Sequence, residues 1–131
     1  MIAMCPVPFE TEEELQKLKQ YLLLQFSMDV IEYEIKVLQK APLKMPPVHI
    51  QVWRSAQDKM HKDLTKARRF LRQRGLKVYE QRRTELGVEI EYLCRGYRRS
   101  MSFVRRYVKA EVQNLLCAYL CVTLDGDGGQ Q

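Results

Sequence analysis

Met28-Asp29-Val30-Ile31-Glu32-Tyr33-Glu34-Ile35-Lys36-Val37-Leu38 can be laid on two templates, and the choice between them decides the fold. Ile31, Tyr33, Ile35 and Val37 alternate with Glu32, Glu34 and Lys36, the period of a half-buried strand, while Met28, Ile31, Ile35 and Leu38 satisfy one helical face. The β-branched and aromatic content favours a strand over residues 28–38. Read instead as a helix, the same residues would give a helix, helix, helix, hairpin order that a winged helix could use.

Upstream, Thr11-Glu12-Glu13-Glu14 fits a capping box: the Thr hydroxyl accepts the third helical N–H and the Glu reaches back to the cap. Leu15, Leu18, Leu22 and Phe26 follow at helical spacing, so a first helix is expected over residues 12–26. Downstream, Pro42, Pro46 and Pro47 mark a connection over residues 40–47. Beyond it Trp53, Ala56, Met60, Leu64, Ala67 and Leu71 recur with the period of one buried helical face, which predicts a second helix over residues 48–74, ended by Gly75.

Residues 76–83 and 88–95 are short runs rich in Val, Ile and Tyr around a Gly-containing turn, a β-hairpin pattern. Leu76 and Val78 must share a face with Val88, Ile90 and Tyr92. That requires an odd loop, expected as Glu85-Leu86-Gly87 with Gly87 left-handed in a bulge. From about Ser102, Val104, Val108, Val112, Leu115 and Tyr119 predict a third helix. The expected fold is therefore α+β: three helices and a small three-stranded sheet in the order α-β-α-β-β-α, with the helices on one face. Residues 1–124 are read as a single domain and residues 125–131 as a polar tail.

Charge is unevenly distributed. The chain carries a formal net charge of +6, but residues 47–109 alone hold seventeen Lys or Arg against six acids, flanked by segments that are net acidic. A basic stretch of that kind attracts nucleic acid, an acidic protein or an anionic surface through its field. Arginine is the side chain best shaped for phosphate. The candidate nucleic-acid contacts are Lys62, Lys66, Arg68, Arg69 and Arg72 on the outer face of the second helix, Arg82 and Arg83 in the hairpin, and Tyr97, Arg98 and Arg99 in a Gly-Tyr-Arg-Arg turn where Tyr97 could stack on a base. No sequence motif of a specific nucleic-acid module accompanies them, so this expectation is electrostatic only.

The competing expectation is a regulatory or assembly protein that binds another protein or itself. Leu115-Leu116-Cys117-Ala118-Tyr119-Leu120-Cys121-Val122 is apolar around most of a helix and must be covered by something.

Catalysis and cofactors find little footing. There is no Gly-rich phosphate loop, nucleophile-elbow serine or HExxH pair. Asp29 with Glu34-Ile35-Lys36 resembles a fragment of a metal-dependent nuclease core, but on a strand these residues would face solvent. Cys117 and Cys121 could share a metal ion on a helix, yet His49 and His61 lie elsewhere and no CxxC occurs, so neither metal nor cofactor is expected. Four sparse cysteines, no basic leader with an apolar core and no long apolar run point to a cytoplasmic protein with reduced thiols and no membrane segment.

Overall fold

The computed structural model describes residues 10–124. Its elements are α1 (Glu12–Lys40), α2 (Pro46–Gln73), β1 (Leu76–Arg83), β2 (Gly87–Cys94), β3 (Tyr97–Val104) and α3 (Arg105–Leu120). The class is α+β, with three helices and a three-stranded antiparallel sheet in the order β1-β2-β3.

The capping box forms as expected. Glu14 N–H donates to Thr11 Oγ1 at 3.2 Å, and Thr11 N–H donates to Glu14 Oε1 at 2.9 Å. The helix it starts does not stop at Phe26, however. It continues unbroken through residues 28–38 to Lys40, so the strand expected there is a helix and the element order is α-α-β-β-β-α. No Pro or Gly lies between Thr11 and Pro42 to end it.

The β-like alternation has a physical origin. α1 is apolar on two sides: Leu18, Leu22 and Phe26 enter the core that faces the sheet, whereas Leu24, Ile31 and Ile35 pack against α2. Superposing Ile31 and Ile35 on a second stripe of Val30, Tyr33 and Val37 produces an every-other-residue pattern without any strand. A winged helix does not result, because one continuous helix replaces two and α2 leads directly into a three-stranded meander.

α2 begins two residues earlier than expected, since Pro46 and Pro47 occupy its first positions, where a missing N–H costs nothing. Its buried residues are Ala56, Met60, Leu64, Ala67 and Leu71, the predicted stripe, with Trp53 half-buried beside it.

The missing strand lies at residues 97–104. Arg95 and Gly96 both have positive φ, 50° and 92°, the geometry of a two-residue hairpin turn, so the Gly-Tyr-Arg-Arg segment starts β3 instead of forming a turn. Tyr92 pairs with Arg99, Ile90 with Met101 and Val88 with Phe103. α3 accordingly starts at Arg105, not Ser102.

Val78 and Ile90 share a face, as the hydrophobic pattern demands, but not through an odd loop. Thr84 and Gly87 exchange hydrogen bonds of 2.7 and 3.3 Å around the two-residue loop Glu85-Leu86. The odd residue sits inside β1: Val78 pairs with Tyr92 but Gln81 pairs with Ile90, the register shifting past Tyr79. Gly87 is at φ 157°, outside the left-handed helical region, and serves close approach: a Cβ there would lie 1.9 Å from Phe103 O. The bulge carries Gln81 and Arg83 to the helix-covered side, where Gln81 Nε2 donates to Gln25 Oε1 at 2.9 Å.

Two buried clusters result. One joins Leu18, Leu22, Phe26 and Leu71 to Leu76, Ile90 and Tyr92 of the sheet, and the other joins α1 to α2 through Ile31, Ile35, Met60 and Leu64. Tyr21 and Leu116 touch both.

Candidate functional site

The ten residues singled out from sequence do not form one surface. Lys62, Lys66, Arg69 and Arg72 lie exposed on the outer face of α2, continuous with Lys59, and none of them enters any of the described ion pairs. Arg68 leans toward α1, its guanidinium 5.9 Å from the centre of the Tyr21 ring.

The sheet arginines are neutralised locally. Arg82 stands on the solvent face among Glu80, Glu89 and Glu91, and hydrogen bonds to these carboxylates, Glu89 foremost, raise its pKa further. Arg83 sits on the opposite face, where its Nη2 donates to Asp29 Oδ2 at 2.6 Å and its guanidinium lies 5.0 Å from the centre of the Phe26 ring. Arg99 donates to Glu10 from Nη2 at 3.0 Å. Burial pushes the Glu10 carboxyl up, but this hydrogen bond and its companions outweigh burial and hold the pKa below the ordinary value. Tyr92 in the same cluster is pushed up by burial and by Glu10. Only Tyr97 and Arg98 of the β3 group remain exposed without an ion pair among the described residues.

A pronounced concavity lies elsewhere. A groove of about 1160 Å³ runs between the distal half of α1 and α3. Its apolar lining includes Phe26, Val30 and Tyr33 from α1, Val108, Val112 and Leu116 from α3, and Val88 from β2, with Thr84, Glu85 and Gly87 at the hairpin end. The cause is a mismatch of lengths. α1 spans about 43 Å at 1.5 Å per residue, whereas the eight-residue strands span about 26 Å. The sheet-facing stripe Leu18, Leu22, Phe26 is buried, but its continuation Val30, Tyr33, Val37 is 37%, 67% and 46% exposed.

α3 has the matching deficiency. Val112 is its sole fully buried residue; Leu115, Leu116, Cys117, Tyr119 and Leu120 are only half-buried, and Val122 beyond it is exposed. Tyr119 orients the helix against α2 by donating from its hydroxyl to Asp63, and burial together with Asp63 raises the phenol's pKa. Cys117 lines the groove, and Cys121 caps α3 in a left-handed conformation at φ 58°.

A family model described as YhjD protein matches residues 9–123, which include every helix and strand of the fold. The chain belongs to the YhjD protein family. No curated protein and no solved structure matches it. Sequence reading found the α3 half of the groove, through the apolar run from Leu115 to Val122, but missed the α1 half because Val30, Tyr33 and Val37 were absorbed into a supposed strand. A helix with two apolar stripes was the available signal.

Proposed function

We propose that this chain is a non-enzymatic assembly protein that binds another polypeptide through the groove between α1 and α3. One observation carries the reading: the apolar stripe of α1 continues at helical spacing past the end of the sheet, and Val30, Tyr33 and Val37 stay exposed beside a half-covered α3. An extended apolar patch on a small protein marks an interaction surface more often than an accident of composition. Cytoplasmic residence accords with this reading, since Cys117 and Cys121 enter no disulfide among the described residues. No described helix is long and apolar enough to cross a membrane.

The test is a photoactivatable side chain placed at Tyr33 in the living cell. A discrete polypeptide adduct is expected there, lost when Leu116 is replaced by Asp and absent from a probe at Thr65 on the far side of α2. An equal adduct pattern at both positions would sink the reading.

A second reading has its own observation. Lys59, Lys62, Lys66, Arg69 and Arg72 form a cationic stripe without carboxylate partners among the described residues, the arrangement that binds phosphate backbones electrostatically. The dispersal of Arg82, Arg83 and Arg99 into local ion pairs removes the continuous positive cleft that would favour it over the first.

A further inference from the structure

The walls of the groove differ in charge. α1 supplies Asp29 and Glu34, and α3 supplies Arg105 and Lys109. Asp29 is already held by Arg83, but Glu34, Arg105 and Lys109 enter none of the described ion pairs. We propose that the occupant of the groove is a second copy of this chain, related by a two-fold axis that runs along the groove; the proposal rests on the polypeptide-binding reading above.

The charges select the axis. Two copies placed face to face can be related by a two-fold lying along the groove or across it. Along the groove, each α1 wall meets the partner's α3 wall, so Glu34 of either copy approaches Lys109 and Arg105 of the other. Across the groove, α1 would face α1 and α3 would face α3, bringing like charges together. A single isologous contact therefore satisfies both rims at once, and it seats Val30 and Tyr33 of each copy on the apolar floor of the other.

Sedimentation equilibrium of the full chain over roughly 1 to 100 μM, the range in which modest dimers dissociate, gives the first arm. A monomer–dimer equilibrium is expected, with Glu34→Lys alone and Lys109→Glu alone each weakening it roughly tenfold or more by setting like charges opposite one another. Mixing the two variants should restore dimerisation, because in that heterodimer both rim contacts again join opposite charges. Glu34 is half-buried and Lys109 exposed, neither belongs to a buried cluster, and a circular-dichroism melt of each variant verifies the fold. Dimers indifferent to both swaps, or variants whose mixture stays monomeric, would overturn the proposed interface. A chain monomeric throughout, with the Tyr33 probe joined to a different polypeptide, would overturn the second copy as occupant while leaving the polypeptide-binding reading in place. A monomer with no adduct at Tyr33 would remove both.

Discussion

Arg95 grips Glu14 with both ends of its guanidinium, Nη1 donating to Oε2 and Nη2 to Oε1 at 3.1 Å each. The pair ties the first turn of α1 to the β2–β3 turn, and Arg74, at the end of α2, adds a third donor at 3.4 Å. Glu14 also closes the capping box through Thr11 N–H. One nearly buried carboxylate thus fixes the relative placement of two helices and the sheet.

Burial pushes the Glu14 carboxyl up, but the hydrogen bonds from Arg95 and Thr11 hold its pKa below the ordinary 4.5. A carboxylate depressed on folding adds stability that is fully present above its unfolded pKa and is lost as pH falls through the folded value. Urea midpoints should therefore be level near neutrality and drop below about pH 4.5, where the unfolded state takes up the proton first. Glu14→Gln keeps the capping-box acceptor but not the charge. It should cost about 1 to 2 kcal/mol at pH 7, since the arginines remain partly solvated and screened, and should flatten the acid limb. An unchanged acid limb in the variant would assign it to other carboxylates.

Leu64→Ala should destabilise the protein by about 2 to 5 kcal/mol, the range for truncating a large buried aliphatic side chain, because Leu64 lies in the α1–α2 cluster with Met60 and Ile35. Lys62→Ala, on the exposed face of α2, should melt like the wild type. Urea denaturation of the two side by side is the measurement, and equal midpoints would contradict the packing.

At Gly87 a methyl group would collide with the Phe103 carbonyl of the neighbouring strand, so Gly87→Ala should cost at least about 3 kcal/mol through strand separation. Gly96 also has positive φ, at 92°, but a Cβ there meets nothing within 4 Å. Gly96→Ala should therefore cost only about 1 to 2 kcal/mol of backbone strain. Reversal of this order in thermal melts would show that β2 and β3 do not approach as described.

If the cationic stripe of α2 binds nucleic acid, filter binding should weaken steeply with salt. A log–log slope of about −4 is expected for four to five phosphate contacts. Lys62→Glu with Arg69→Glu should abolish binding, while Arg82→Ala should leave it unchanged, since Glu80, Glu89 and Glu91 already occupy that guanidinium. Equal losses in both variants would locate binding on the sheet.

The sequence alone determined the elements whose signals are local. Thr11 and Glu14 set the start of α1 through a contact within one turn, and the stripe from Ala56 to Leu71 defined α2 because a helix with one buried face carries one period. Val88, Ile90 and Tyr92 announced a half-buried strand for the same reason. What required the tertiary structure was every feature set by two partners at once. Residues 28–38 serve α2 on one side and an open groove on the other, so two helical periods overlaid into a false strand. The parity of the first hairpin moved into a bulge at Tyr79, which the hydrophobic pattern demands but does not place. The fate of the arginines was decided the same way. Arg82, Arg83 and Arg99 read identically to Arg69 along the chain, yet Glu89, Asp29 and Glu10 reach the first three only once the sheet and α1 are packed together, because charge compensation depends on distance in space and not on order in sequence.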